Sequence, residues 1–383
     1  MEYSLILDSS IQNADLLYAC GFSASDPFLY FSTDKEKGIV VSELEYDRAV
    51  TESKNDIKVI LAKELIDKKI KTTPINVITA LNKKYHSPTW NVPYNFSYGL
   101  SQLLTKKGIN LKVTEKENAT IFFPERKIKS AEEISACRNG LKIAERAMQI
   151  VYDTLSKSKI ENSGKLIFNG EILTSEYMKT LLGIEILKSG GSSDHTIVSC
   201  GIDAAQPHNT GNGPLFANET IVVDIFPRIL EPINKELPSG YWGDITRTFV
   251  KGKATSEMTK MYNAVKEARN YCQDMIKPGM TVTEPFHKAM EILKQHGFNT
   301  GTDSKGRQYG FFHGLGHGVG LEIHELPTLS PRGNGKLEIG EIITVEPGLY
   351  YPDIGGIRLE NMGVITEDGF EAFNTFSNIL EIQ

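Results

Sequence analysis

The sequence predicts an α+β protein in two parts: a smaller α/β N-terminal domain over residues 1–125, then an α+β domain over residues 126–383 with an antiparallel sheet. Three observations predict it. Short apolar runs of strand length alternate with helical stretches up to residue 125. A long amphipathic stretch then begins with no Gly/Pro-rich linker before it. Beyond it, helices and strands come in blocks and not in strict βαβ alternation.

In the first part, residues 28–31 and 38–41 are strand-like runs separated by the polar turn STDKEK. Residues 59–61 and 119–123 read as further buried strands. After Pro124, Ser130 followed by Glu133 makes a capping box. Ile134, Cys137, Leu141, Ala144, Met148, Val151 and Leu155 then recur at three- and four-residue gaps, one buried stripe of a long helix. Helices are expected near 175–188, 256–277 and 282–296, the second ended by Lys277-Pro278-Gly279. Strands are expected at 220–226, 245–250, 342–345 and 356–364.

The chain has 383 residues, enough for a substantial core, with 42 Lys+Arg, 48 Asp+Glu and a formal net charge of −6. Mild acidity without a Lys/Arg block argues against nucleic acid or an anionic membrane as partner. No apolar run reaches the ~18–20 residues that span a bilayer. The N-terminus lacks the basic-then-apolar pattern of a secretion signal. Cys20, Cys137, Cys200 and Cys272 form no CxxC pair and fit a reducing compartment, so a cytoplasmic protein is expected.

Four segments of the second domain place a carboxylate inside an apolar strand: Asp224 in VVDIFP, Asp244 in GYWGDITRTF, Glu346 in ITVEPGLY and Glu360 in GGIRLENM. Such a group is costly unless paired or metal-bound. One alone would as readily sit on a solvated face or pair with arginine. Four of them, beside the His-rich FFHGLGHGVGLEIHE, point to a shared pocket. Gathered there they repel, so some protonate or cations neutralise them, and two divalent ions would cancel four charges. Carboxylates with one histidine favour Mn²⁺, Co²⁺ or Fe²⁺ over a thiolate zinc site, with catalytic Zn²⁺ left open.

His313, His317 and His324 are the candidate histidines, though any one alone is as readily a core or loop residue. The segment lacks the HExxH order, and Gly314, Gly316, Gly318 and Gly320 disfavour a helix. On one regular strand His317 and His324 would face opposite ways, so a bulge or turn is expected between them. Phosphate cradling is disfavoured, since GxGxxG and GK[ST] are both missing.

With these motifs in this order, the sequence resembles the pita-bread metallopeptidases, the superfamily of methionine aminopeptidase, prolidase, aminopeptidase P and creatinase. The resemblance covers roughly residues 127–383; ADLLYACGFSASDPFLYF more loosely resembles the start of a prolidase-type N-terminal domain. It implies a pita-bread (creatinase/aminopeptidase-like) catalytic domain behind a creatinase-type N-terminal domain. It also implies the metal set Asp224, Asp244, His317, Glu346 and Glu360 around two divalent ions, Mn²⁺ first, with Co²⁺, Zn²⁺ or Fe²⁺ as alternatives. Asp224 would serve one ion, His317 and Glu346 the other, and Asp244 and Glu360 both. A water bridging the ions would supply hydroxide near neutral pH as nucleophile.

By the same resemblance Glu346 shuttles a proton and His324 stabilises the tetrahedral oxyanion. His208, in AAQPHN, and His313 position the substrate, His208 counting with the catalytic group. Tyr350 and Arg358 match substrate-site positions. Arg358, two residues before Glu360 on one strand face, would equally make a plain salt bridge. Tyr350 would equally pack in the core.

The full N-terminal domain, the presence of both His208 and His313, and the short Glu346-to-Glu360 spacing resemble the prolidase and aminopeptidase P branch. The implied substrate is a small peptide with proline second, whose tertiary amide has no N–H; the implied assembly is a homodimer. Creatinase does not keep this metal set. One departure is the long Asp224-to-Asp244 connection, which carries Pro227, Pro232 and Pro238 and has Phe226 where a glycine is usual. It bears on substrate choice more than on chemistry. Two alternatives stay open: an aminopeptidase or amidohydrolase acting on another small amide, and a non-catalytic binding module on the same scaffold.

Overall fold

The computed structural model describes residues 3–87, 89–114 and 122–383. The chain divides into two compact units, Met1–Arg126 with Glu231–Ser239, and Lys127–Leu230 with Gly240–Gln383. The first is built on a six-stranded mixed sheet ordered Ile57–Leu61, Lys37–Val41, Phe28–Ser32, Ser4–Asp8, Trp90–Val92, Leu111–Val113. Helix Pro74–Tyr85 starts where the Thr73 side chain accepts from Asn76 N–H and proline opens the first turn. It packs Val77, Ile78 and Leu81 into a core with Leu29 and Trp90. Residues 119–121 of the strand expected at 119–123 lie outside the described residues. Phe122 and Phe123 form no strand; their N–H groups donate to the Asp15 carboxylate.

In the second unit the Ser130–Glu133 capping box closes in both directions and opens helix Ala131–Lys157. Its stripe of Cys137, Leu141, Ala144, Met148, Val151 and Leu155 is buried. Helices Ser175–Lys188, Ser256–Met275 and Glu284–Gln295 follow. A four-stranded sheet runs in the order Ile197–Cys200, Thr220–Ile225, Ile245–Lys251, Glu381–Ile382. A five-stranded sheet runs Glu325–Leu329, Gly316–Gly318, Ile342–Val345, Asn361–Thr366, Gly369–Ala372. Pairing is antiparallel throughout both, save the short 381–382 strand. No helix among the described residues is long and apolar enough to cross a membrane.

The single strand expected over 356–364 is two. Gly355–Arg358 folds back on Gly348–Tyr351, while Asn361–Thr366 joins the five-stranded sheet. The break falls at Leu359–Glu360, where Glu360 N–H donates to Thr246 O. Arg358 and Glu360 therefore do not share one strand. The connection after Asp224 prolongs the hairpin: register Asp224↔Thr246 and Ile225↔Ile245 runs on through the Arg228↔Trp242 bridge.

Candidate metal centre

Asp224 and Asp244 come from this hairpin. Asp224 faces Thr246 across the pair, and Asp244 stands two residues before Thr246, so alternation puts all three side chains on one face. His317 lies in Gly316–Gly318, whose pairing with Glu325–Leu329 shifts register just after it. The expected irregularity is thus a bulged hairpin. It brings the His324 ring to 4.4 Å from the His317 ring, at 78°. Glu346 follows strand Ile342–Val345, and Glu360 hangs from the break between sheets.

His317 Nε2 lies 3.2 Å from Glu346 Oε1 and 3.7 Å from Asp244 Oδ2. Ligand atoms of Asp244, His317 and Glu360 all fall within 4.8 Å of one another. Neighbours fix the carboxylates from behind. Arg358 Nη2 donates to Asp224 Oδ2 at 2.7 Å, and Thr246 Oγ1 to Glu360 Oε2 at 2.7 Å. Thr344 Oγ1 donates to Glu346 Oε1 at 3.2 Å.

Asp224 Oδ1 and Asp244 Oδ1 are buried without any such donor, a costly state that a cation relieves. Burial and mutual repulsion push Asp244 well up and Glu360 up to about 8. Burial also raises Asp224, against the pull of Arg358. It acts on Glu346 too, but the hydrogen bond and charge of His317 outweigh it and drive Glu346 down to about 2. Carboxylates in mutual conflict, two bare oxygens and an imidazole nitrogen fit divalent ions.

Arg358 is buried and spends its donors on the protein. Nε reaches Thr246 Oγ1 at 3.3 Å, and Nη1 reaches Pro207 O at 3.2 Å and Tyr350 Oη at 2.9 Å. Arg358 forms an ion pair with Asp224. Tyr350 is fully buried, with its hydroxyl 2.9 Å from His313 Nε2. His313 Nδ1 donates to Gly314 O at 2.7 Å, so Nε2 accepts from tyrosine in the neutral ring, and burial pushes His313 down to about 4. His208 is exposed on the turn after Pro207. His324 keeps an exposed side; surrounding protein and then His317 push it down to about 4. Sequence reasoning missed Thr246 and Thr344, whose only signal was standing two residues from a carboxylate in a strand.

The family profile described as metallopeptidase family M24 matches residues 135–367. An Xaa-Pro dipeptidase from Pyrococcus furiosus is 30% identical over 336 residues, 87% of this chain and 83% of that protein. A prolidase crystal structure from Pyrococcus horikoshii superposes with a TM-score of 0.77 at 25% identity, over 99% of this chain and 95% of the other. An Xaa-Pro dipeptidase structure from Bacillus anthracis reaches 0.81 at 21% identity over 99% and 95%, a likeness of fold. The profile match takes in all five candidate ligands and the strands that carry them, and on it the chain belongs to metallopeptidase family M24, a metallopeptidase with the pita-bread fold.

Proposed function

We propose that the chain hydrolyses the bond before a proline in second position of a small peptide, using two divalent ions held by Asp224, Asp244, His317, Glu346 and Glu360. The observation that carries this is the gathering of those side chains with bare buried oxygens on Asp224 and Asp244. The names of the similar proteins support the substrate class. By the family resemblance Asp224 would hold one ion, His317 and Glu346 the other, and Asp244 and Glu360 would serve both. When bound, such ions acidify a water between them and polarise the scissile carbonyl. Mn²⁺ is placed first because the set is hard and oxygen-rich.

The chain's own residues do the rest. Glu346, steadied by His317 and Thr344, accepts a proton and passes it on. His324, exposed and without a hydrogen bond among the described residues, donates its ring N–H to the oxyanion. His208 and His313 position the peptide. Arg358 grips Asp224 and Pro207 O together, tying the turn that bears His208 to a metal ligand. Gly314 O fixes the tautomer of His313, and the Tyr350 hydroxyl donates to its Nε2. Four unpaired cysteines, three of them buried, fit the reducing cytosol. The homodimer is carried from the family resemblance.

The test is turnover of Xaa-Pro dipeptides and Xaa-Pro-Xaa peptides by protein loaded with Mn²⁺, Co²⁺ or Zn²⁺. Cleavage of either set supports the reading; no turnover of both with every ion refutes it.

A further inference from the structure

The face of the hairpin that carries Asp224 and Asp244 does not end at the metals. The register Asp224↔Thr246 and the Arg228↔Trp242 bridge set Phe226 opposite Asp244. Alternation then lines Asp224, Phe226 and Arg228 along one strand and Thr246, Asp244 and Trp242 along the other, all on one side. Gly243, on the other side, packs against the backbone of Gly140 and Leu141. Phe226 and Trp242 form a diagonal ring pair with centroids 6.4 Å apart, and the Arg228 guanidinium lies 5.9 Å over the Trp242 ring. Trp242 is anchored to the His317–His324 turn: its N–H donates to Gly320 O at 3.0 Å and its indole N–H to Leu321 O at 3.2 Å. All three side chains are half-buried.

Arg228 Nε donates to Ser192 Oγ at 3.2 Å. Among the described residues that is the only hydrogen bond of its side chain, and no carboxylate pairs with it. A half-buried, stacked guanidinium with both terminal nitrogens available is preorganised for a planar anion, which it grips with two parallel bonds. In an Xaa-Pro dipeptide the carboxylate hangs from the carbon beside the scissile nitrogen, about 4 Å from the scissile carbon by ordinary bond lengths. Trp242 lies two residues, roughly 7 Å of strand, from Asp244, and Arg228 faces it, a gap that a long side chain bridges.

We infer that Arg228, with Phe226 and Trp242, forms the subsite for the carboxylate end of the substrate, so that free Xaa-Pro dipeptides are preferred over longer or amidated peptides. The rings pack the apolar pyrrolidine and the guanidinium takes the carboxylate. In a longer peptide a neutral amide would stand there with no charge to offer. This rests on the hydrolytic reading above and names its substrate class.

The test compares glycyl-proline with glycyl-prolinamide on metal-loaded wild type and Arg228→Gln. Wild type should prefer the free acid, and the substitution should cut that preference ~10–100-fold, mainly through KM. Equal losses on both substrates, or an unchanged preference, would overturn the subsite. Binding is read apart from turnover by quenching of tryptophan emission in metal-free protein. Glycyl-proline should quench more strongly than the amide, the difference shrinking in Arg228→Gln and vanishing in Trp242→Phe. If neither substrate is cleaved yet this binding preference appears, the subsite stands and the hydrolytic reading falls; equal binding of acid and amide sinks the subsite itself.

Discussion

Gly243 immediately precedes Asp244, and its place is fixed by space, with no unusual backbone angle. A Cβ there would stand 2.5 Å from Leu141 Cα and closer still to Leu141 N and Gly140 C, all backbone of the 131–157 helix. The clash is mutual: a Cβ on Gly140 would meet Gly243 N at 2.7 Å and the Trp242 carbonyl carbon at 2.9 Å. Backbone cannot swing aside as a side chain does, so Gly243→Ala must part helix and hairpin by roughly 1.4 Å to regain ordinary contact. Overpacking costs ~1–3 kcal/mol when side chains can yield; with only backbone to move, ~3 kcal/mol or more is expected. Metal-ligand distances tolerate only ~0.2 Å, so Asp244 should leave its place as well. Urea unfolding of metal-free protein should show a midpoint lower by ~1 M, taking a slope of ~3 kcal/mol per M. Calorimetric titration should show metal affinity weakened at least ~10-fold. Gly183→Ala is the control, since nothing lies within 4 Å of its Cβ position; in the 175–188 helix it should stabilise by ~0.5–1 kcal/mol. Wild-type midpoint and metal affinity in Gly243→Ala would refute the close-packing argument.

Asp244→Ala or Glu360→Ala should abolish binding of both ions, which metal analysis of the purified variants checks; normal stoichiometry contradicts the shared-ligand assignment. Arg358→Gln strips buried Arg358 of its charge 2.7 Å from the largely covered Asp224 carboxylate and should destabilise metal-free protein by ~3–5 kcal/mol, a loss below 1 kcal/mol in urea unfolding counting against it. Lys129 and Glu325 form a nearly inaccessible pair at 2.9 Å beside His324. Lys129→Met alone should cost ~3–5 kcal/mol and the Lys129→Met/Glu325→Leu double replacement far less, since removing both charges leaves neither unpaired; equal losses would refute the pairing. Chelation should stop peptide hydrolysis, and Mn²⁺ at 100 times its Kd should restore it while raising unfolding free energy by ~2.7 kcal/mol; an unshifted melt would argue against ions bound to the folded state.

Local physics made much of this chain readable. Ser130 and Glu133 announce a helix start because the box closes within four residues. Carboxylates inside apolar runs stand out because burying them is costly, and that contrast marked Asp224, Asp244, Glu346 and Glu360, although only Asp224 lies within a strand and the others stand at strand ends. What stayed hidden depends on partners distant in sequence. The break at Leu359–Glu360 has no local sign, since Ile357, Leu359 and Met362 are all fully buried, and only the different partner strands separate its halves. Thr246 and Thr344 are ordinary strand residues until the fold puts a carboxylate against each. Two readings of Arg358 were equally good on sequence because its ion-pair partner, Asp224, lies on a different strand.

The glycines of the His-rich segment show the same dependence. In sequence they argue against a helix and for a bulge, both reasons of backbone freedom. Gly316 and Gly318 in fact sit in ordinary extended backbone, with φ outside the left-handed region. Their Cβ positions are barred by neighbouring strands: the Thr344 carbonyl carbon at 2.7 Å from one, the Leu326 carbonyl carbon at 2.5 Å from the other. His317 is thus flanked on both sides by close backbone approaches, as Asp244 is on one. His317 and Asp244 are held in position by main chain packed on main chain, the least compliant contact a fold provides. The same packing leaves the open face of the hairpin to side chains as large as Phe226, Arg228 and Trp242.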